Sequence, residues 1–454
     1  MVSARKARAA LLGGVLAAVL AAAPTAHANP LDAYGFGSRS SSLGGAVVAD
    51  VEDFSANYFN PAGLVRGDEI RIAGGYFAVG HYMQVNGNDS PVDNVSGSVI
   101  GLVLPGDIEG FRFAVGLGLH LNDRRLSRTL SLPREQPRWI LYDNRPHRIF
   151  LGTHLAIRPV DWLLLGGGLA FQSRSASDLE IRGDIDIIQP DRKTKLEHNI
   201  RSDLNSIRYP QVGVQIVPAD DWSLGAAYRG EFVLRSRLEG DIAADLTGLG
   251  DPIPGRLTVV SDAVNAVLPQ QVSFGGAWHV TEALRLSAEI TWLDWSAFIS
   301  PTGKVDVGLD IDVPPGAEGL IDVPDDVSGT EPLPARFDDT FVPRDGAEWR
   351  PVSEPNIDWD LRGGYFFEKS PAPEQTGQTN FVDADRHVVS FGTGVRFKEL
   401  EPLVDGCLSL DFHVRYSRLP ERGNVKDSLV NPTGDFVGSG HILSGGLDAE
   451  LAFE

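Results

Sequence analysis

The stretch that decides the fold is GSGHILSGGLDAELAFE, residues 438–454. Apolar and polar side chains alternate in it, so that Leu443, Leu447 and Leu451 share one face and Asp448 and Glu450 lie on the other. A period of two residues predicts a β-strand with one apolar and one polar face. Strands of about ten residues whose apolar face meets lipid and whose polar face lines a lumen build outer-membrane β-barrels.

The same alternation recurs along the chain, most cleanly at 111–121, 271–280 and 408–417, with charges and histidines opposite the apolar face. We predict fourteen strands, at 69–84, 94–104, 111–121, 147–158, 162–173, 204–217, 222–238, 268–280, 283–297, 337–352, 357–369, 385–398, 407–418 and 439–453. Bacterial single-chain barrels have an even number of antiparallel strands. The predicted fold class is therefore an all-β, 14-stranded antiparallel transmembrane β-barrel.

Connections of two kinds alternate between these strands. The short ones are 105–110, 159–161, 218–221, 281–282, 353–356 and 399–406. Long polar segments lie between them, including 122–146, 174–203, 239–267, 298–336 and 419–438. Short periplasmic turns that alternate with long external loops are typical of outer-membrane barrels, whereas a soluble β-sandwich has no reason to show this order.

The N-terminus predicts export. Arg5, Lys6 and Arg8 precede an apolar stretch at 9–23, and Ala26-His27-Ala28 follows the small-residue pattern of a cleavage site. We expect a signal peptide at 1–28, a mature chain that begins at Asn29 and a location in the outer membrane of a Gram-negative-type cell.

The composition excludes other classes. Without the three basic residues of the signal, 37 Lys and Arg stand against 61 Asp and Glu, and this net charge of −24 argues against nucleic-acid partners. Outside the signal, no apolar run reaches the roughly eighteen residues that a transmembrane helix needs. The single cysteine, Cys407, precludes an intrachain disulfide, and we interpret it as a structural residue near a turn. We expect no cofactor and a monomer.

The long loop from Val305 to Ala335 holds eight acidic residues and no Lys or Arg. Its simplest interpretation is a solvated loop. The alternative is that its carboxylates bridge divalent cations to anionic surface glycolipid, because carboxylate oxygens suit hard cations. An EF-hand spacing is absent from the loop, so we assign no metal site.

The segment 29–66 does not read as a strand. It is rich in small and turn-forming residues, as in Ser42-Leu43-Gly44-Gly45-Ala46 and Asn60-Pro61-Ala62-Gly63-Leu64. Fourteen strands enclose a lumen too wide for wall side chains alone to fill. We therefore expect residues 29–66 to plug the barrel formed by 67–454.

These two motifs also carry a resemblance to the FadL family of outer-membrane transporters for long-chain fatty acids and other hydrophobic molecules. It continues in the family's order at 292–298 (WLDWSAF), 362–365 (RGGY), 370–373 (SPAP) and 383–386 (DADR), across nearly the whole mature chain. The resemblance implies that the N-terminal segment folds into the lumen as a hatch that contains the Asn-Pro-Ala motif. It also implies a kink in the third strand that opens a lateral route into the membrane.

The predicted function is passive uptake of hydrophobic molecules, long-chain fatty acids or aromatic hydrocarbons, with outer-membrane lipid and surface glycolipid as surroundings. Candidate pocket residues are the aromatic side chains of the plug: Tyr34, Phe36, Phe54, Tyr58 and Phe59. Plug packing is the competing interpretation of each, because aromatic side chains are common in buried cores. The hatch motif residues are Asn57, Asn60, Pro61 and Ala62.

Two arginines on the predicted lumen face, Arg112 and Arg362, are candidates for binding a carboxylate head group, because guanidinium binds carboxylate bidentately. The competing interpretation is an internal ion pair, for example with Asp360 or Asp411. Gly116 and Gly118 could mark the strand kink or could leave room for the plug.

The tenth predicted strand departs from the family's pattern. Pro343 lies inside it and the register places Asp345 on the lipid face, unless a bulge at Pro343 shifts the register. The chain also ends in Glu454, with Phe453 penultimate, where an aromatic residue usually ends the last strand.

Three other functions compete with this prediction. Catalysis would need a nucleophile and base in contact, but His413, Ser409 and Ser417 share one face of a strand, where residues four apart lie about 13 Å from each other. A non-transport barrel with a structural, secretion-associated or partner-binding role would use the acidic loop as its contact surface. An open aqueous porin is hard to reconcile with the plug.

Overall fold

The structure, a computed structural model, describes residues 31–124, 135–143, 149–186, 195–247, 253–300, 304–311, 333–398, 400, 406–427 and 433–453. The predicted signal peptide and most of the acidic loop lie outside these ranges. Three short helices, Leu31–Tyr34, Ser38–Ser42 and Ala56–Phe59, precede a 3-10 helix at Pro61–Val65. A further 3-10 helix covers Trp295–Ala297. No helix in the described ranges is long and apolar enough to cross a membrane.

Eighteen strands lie in the described part of the chain. They are β1 Ile70–Val85, β2 Asn88–Asp89, β3 Val95–Ile108, β4 Phe111–Asn122, β5 Phe150–Val160, β6 Leu163–Asp186, β7 Lys195–Ala219, β8 Trp222–Arg229, β9 Phe232–Thr247, β10 Ile253–Leu268, β11 Gln271–Thr281, β12 Leu284–Leu293, β13 Lys304–Ile311, β14 Thr340–Glu354, β15 Ile357–Glu368, β16 Arg386–Phe397, β17 Gly406–Asn424 and β18 Phe436–Phe453.

Fourteen of these strands form a closed antiparallel ring, and β2, β9, β10 and β13 lie outside it. The first and last strands close the ring, because β1 pairs with β18 from Ile70↔Phe453 to Val85↔Gly438. The predicted fold class is confirmed, and each predicted strand corresponds to one strand of the ring.

The two faces of the wall have the predicted chemistry. Along β18, Asp448 and Glu450 are buried on the lumen side, whereas Leu443 and Leu447 are exposed on the outside. Near the short turns, Trp222 of β8 and Trp278 of β11 stack with ring centroids 5.2 Å apart on the outer surface. Aromatic side chains at this level are typical of the girdle at a membrane interface.

The predicted strand 222–238 divides in the structure, which corrects the sequence interpretation. β8 ends at Arg229, and β9 leaves the ring to pair with β10 and, in parallel, with the outer half of β6. The segments 174–203 and 239–267, predicted as loops, are largely strand, since β6 and β7 run for 24 and 25 residues. These segments were predicted as loops because they are long and rich in charged residues, although apolar residues also alternate in them, for example at Leu179, Ile181 and Ile185.

The bulge suggested at Pro343 is also wrong. β12 and β14 pair without a register shift from Leu293↔Thr340 to Leu284↔Trp349, and the shift in β14 lies between Trp349 and Val352 on its other side. Asp345 consequently remains on the outer face, where it is exposed. A lipid-facing carboxylate costs up to a few kcal/mol near the membrane midplane and close to nothing at an interface.

Candidate functional site

The N-terminal segment Leu31–Arg66, called the hatch below, lies inside the ring of strands. Its helix Ser38–Ser42 packs against β15 to β18, and its 3-10 helix Pro61–Val65 packs against β3 to β7. Most of its side chains are buried. Gly44 and Gly45 both have positive φ, 67° and 77°, which lets the chain turn sharply against the wall. The hatch therefore occupies the lumen rather than extending the wall.

The wall provides hydrogen-bond partners for the backbone of the hatch. The N–H groups of Val47 and Val48 donate to Glu289 Oε2 at 3.1 and 3.0 Å. Phe54 N donates to Glu450 Oε2 at 3.2 Å, and Ser38 N donates to Asp448. These carboxylates replace the water that the buried N–H groups lose.

Asn60 of the Asn-Pro-Ala motif ties the hatch to itself and to the wall. Its Nδ2 donates to Val48 O at 2.7 Å and to Val214 O of β7 at 3.0 Å, while its Oδ1 accepts from Ala62 N at 3.1 Å. Pro61 begins the 3-10 helix, where a missing N–H does no harm. The wall opposite is Gly213, where a Cβ would overlap Asn60 Oδ1. The Asn-Pro-Ala motif and the wall at Gly213 are therefore complementary in shape.

Asn57 makes a second connection of this kind. Its Nδ2 donates to Phe54 O at 3.0 Å, and its Oδ1 lies 3.3 Å from His154 Nδ1 of β5. Added Cβ atoms at Gly116 and Gly118 would press on Asn57, which gives these glycines the role of leaving room for the hatch. β4 pairs with β3 and β5 without a register shift across both positions, so a kink there stays a prediction.

At the short-turn end of the barrel, ion pairs join hatch and wall. Arg39 of the hatch bonds Glu348 of β14 at 3.1 Å, and Glu348 also accepts from Arg285 at 2.9 Å and from Arg362 at 2.6 Å. Asp50 of the hatch completes the network through Arg285. A cavity of about 430 Å³ lies here and is lined largely by charged side chains.

The ionisation of Glu52, a hatch residue at this end of the barrel, depends on neighbouring arginines. Burial alone raises the pKa of Glu52, but Arg39 and Arg71 outweigh burial and bring that pKa down to about 2. The carboxylate therefore stays ionised throughout the ordinary pH range. This end of the lumen suits charged groups and not hydrophobic ones.

Both predicted head-group arginines lie at this end. Arg362 bonds Glu348, Asp360 and Asp411, and Arg112, close to the short turn after β3, pairs with Asp68. Their head-group role stays a prediction, and the contacts observed are those of the competing interpretation, internal ion pairs.

Aromatic side chains fill the opposite side of the hatch. Phe36 lies at the centre, with ring centroids 5.5 Å from Phe54, 5.6 Å from Tyr58 and 5.7 Å from Phe150 of β5. Tyr34 donates to or accepts from His81 at 2.9 Å. The candidate pocket residues therefore cluster, although Phe36, Phe54 and Tyr58 are packed closely against one another as in a core.

The long connections add aromatic residues that the sequence did not propose as pocket residues. They are Trp139, Tyr142, Trp295, Phe298, Phe337 and Phe381. Phe337 stacks on Phe298 at 4.3 Å and meets Phe381 edge-on at 5.8 Å. Trp295 and Phe298 belong to the motif at 292–298 that carries the family resemblance, whereas Trp139, Tyr142 and Phe381 lie in predicted loops. Together with the hatch they form one apolar cluster at the long-loop end.

The comparisons with known proteins agree with this architecture. The sequence model described as "Outer membrane protein transport protein (OMPP1/FadL/TodX)" matches residues 147–449. The chain therefore belongs to this family of outer-membrane transport proteins, and the resemblance and location inferred from the sequence are confirmed. None of the curated proteins compared matches the chain.

Solved structures of the same fold cover nearly the whole chain. A Pseudomonas aeruginosa FadL homologue is 14% identical, with a TM-score of 0.57 over 95% of this chain and 98% of its own. The P. putida toluene transporter TodX is 15% identical, with a TM-score of 0.53 over 93% and 99%. The Ralstonia pickettii toluene transporter TbuX is 17% identical, with a TM-score of 0.51 over 93% and 99%.

The contacts of Asn60 generate a test of the hatch. Asn60→Ala removes hydrogen bonds within a buried site, at a cost of about 1–3 kcal/mol, and should loosen the hatch without affecting the barrel. We expect more frequent ion-conducting events in planar bilayers than with the wild type. Asn88→Ala, in the short exposed strand β2, is the matched control. Identical traces for Asn60→Ala and wild type would contradict this role.

Proposed function

We propose that the protein is a passive outer-membrane channel for hydrophobic molecules, gated by the hatch. The observation that carries the proposal is the apolar cluster at the long-loop end, which joins hatch aromatics to aromatics of the connecting segments. A ligand gains roughly 25 cal/mol for each Å² of apolar surface that it buries, so such a cluster can bind a hydrophobic molecule with few polar contacts.

Membership of a transport family and the FadL and toluene-transporter likenesses support this proposal. We infer that the substrates lie in the range that the sequence suggested, from fatty acids to aromatic hydrocarbons. We also propose a lateral opening in the wall at the third strand, as the resemblance implied.

We infer no catalytic role. The histidine considered for catalysis, His413, lies with Nδ1 2.9 Å from Ser38 Oγ in the hatch rather than beside Ser409 or Ser417. Its Nε2 has no hydrogen-bond partner among the described residues, so no third group orients the ring as a nucleophile–base pair requires. The contact between His413 and Ser38 joins the hatch to β17.

The alternative, a structural or partner-binding barrel, depends on the acidic loop. Only 304–311 and 333–339 of that region are described, where β13 pairs with β10. The observation that favours transport is the apolar cluster described above. The proposed bridging of divalent cations to glycolipid falls mainly on residues outside those ranges.

Removal of the hatch tests the gating. A variant lacking residues 31–66 should insert into planar bilayers and conduct ions, because the lumen of a fourteen-stranded barrel is wide once the plug is gone. The intact protein should conduct little. Slower migration after boiling in SDS verifies that both forms contain a folded barrel. Equal, low conductance of the two proteins would show that something else closes the lumen.

Binding of a hydrophobic ligand tests the cluster. Phe59 is only half-buried and packs against the edge of the apolar cluster, so Phe59→Ala should weaken binding of a long-chain alcohol or hydrocarbon by about tenfold. Phe391→Ala, which removes the same side chain from the lipid-facing surface where it is 65% exposed, is the control and should change nothing. If the two variants bind alike, the pocket lies elsewhere.

A further inference from the structure

A line of basic side chains crosses the outer surface of the wall. His387 of β16, Arg418 of β17 and His441 of β18 are all exposed. They occupy directly paired positions, because His387 pairs with Arg418 and Arg418 pairs with His441. Neighbouring strands lie about 4.8 Å apart, so the three side chains stand next to one another on one face of the wall. We call these three residues the basic row.

The basic row lies at the external edge of the apolar band. On β17 the outward positions from Leu408 to Tyr416 are all aliphatic or aromatic, and Arg418 is the next outward position. Ten positions at about 3.4 Å each, on a strand tilted by about 40°, span about 25 Å along the membrane normal. The apolar band of an outer-membrane barrel is about 25 Å tall. The basic row is therefore at the level of the lipid head groups on the long-loop side.

Exposed tyrosines border the basic row. Tyr82 of β1 stacks on His441, with ring centroids 4.8 Å apart and planes inclined by 13°, and Tyr416 lies 6.1 Å from the same ring. The hydroxyl of Tyr365 lies 2.9 Å from His387 Nδ1. Tyrosine is typical of membrane interfaces, because its ring is apolar and its hydroxyl is polar. A lipid can therefore contact the tyrosine rings with its acyl chains while its head group contacts the basic row.

The central residue of the row has no anionic partner within the described part of the chain. Arg418 makes neither an ion pair nor a hydrogen bond with any described residue. The nearest exposed acids along its strand and the neighbouring one are Glu421 and Asp385, which lie farther towards the loops, and Asp385 accepts the N–H of Ser370 at 2.9 Å. Guanidinium binds phosphate oxygens through two parallel hydrogen bonds, so a phosphate suits Arg418.

This cationic surface contrasts with the charge of the whole chain. The net charge is −21, so the protein as a whole repels an anionic lipid. Attraction at the basic row must therefore act over short distances, within the screening length of about 8–10 Å. Arg208 of β7 is also exposed on the outer face, but the residue directly opposite it is Phe171. A single arginine of this kind lacks the flanking basic residues that the row provides.

We propose that the basic row binds the phosphate of a glycolipid in the external leaflet of the membrane. Arg418 bonds the phosphate, and His387 and His441 donate to it from either side. A phosphate monoester fits this arrangement because it offers three acceptor oxygens and up to two negative charges, more than the phosphodiester of a phospholipid. The site needs no divalent cation and is separate from the acidic segment 305–335. It goes beyond the proposed transport function and does not depend on it.

Lipid binding to the purified full-length protein in detergent tests the site. In native mass spectrometry with EDTA present, wild type should bind diphosphorylated lipid A more tightly than phosphatidylglycerol. Arg418→Gln should weaken lipid A binding about fivefold, the factor that one arginine contributes near an anionic lipid surface. The variant His387→Gln/Arg418→Gln/His441→Gln should bind lipid A no more tightly than phosphatidylglycerol. Arg208→Gln is the matched control and should behave as wild type.

Four results would overturn the proposal. Unchanged lipid A binding by Arg418→Gln would remove the site, and an equal loss in Arg208→Gln would show a general attraction to surface arginines. Equal affinity of the wild type for the two lipids would contradict recognition of a phosphate monoester. Binding that EDTA abolishes and Mg²⁺ restores would assign the glycolipid to carboxylates that bridge cations. Faster migration of unboiled than of boiled protein in SDS verifies that each variant has a folded barrel.

Discussion

A fourteen-stranded barrel encloses more space than its inward side chains fill, and the segment that fills it here must find partners for its own backbone. The hatch consists of short helices and turns, so many of its polar backbone groups lack partners within the segment. The wall supplies them: Asp448, Glu289 and Glu450 accept from hatch N–H groups, while Gln211 and Arg229 donate to the carbonyl of Tyr58. The polar composition of the lumen face follows from this requirement.

The two ends of the lumen, on either side of the hatch, differ in their chemistry. Ion pairs around Glu348 hold it at the short-turn end, whereas aromatic side chains cover it at the long-loop end. A hydrophobic molecule that arrives from outside meets favourable contacts first and charge only beyond the hatch. Arg415 of the wall lies beside the hatch glycine Gly35.

Much of this fold could be predicted from alternation in the sequence, because a lipid-facing apolar stripe leaves a period of two in every wall strand. The outer sheet was missed although it alternates too, as at Leu238, Ile242 and Leu246 of β9, because its segments are highly charged and lie where long external loops were expected. The face of the wall on which a side chain lies can be read from the local sequence, whereas the residues that it bonds cannot. Arg362 and Arg415 both read as lumen-facing arginines, and only the fold shows that the first bonds three carboxylates and the second bonds none among the described residues. The hatch motif could be found from the sequence because Asn60-Pro61 predicts a local turn. Its contact with Gly213 could be seen only in the folded barrel.

The central claim is that the hatch closes the lumen and must move for transport. A Cβ at Gly346 would lie 3.2 Å from Leu43 Cβ, close to the separation that a disulfide requires. Uptake of hexadecanol and palmitate should be measured for Leu43→Cys/Gly346→Cys in a Cys407→Ser background, oxidised and then reduced, with Leu43→Cys alone as control. Oxidation should stop uptake of both molecules, and reduction should restore it. Undiminished uptake with the disulfide formed would contradict it.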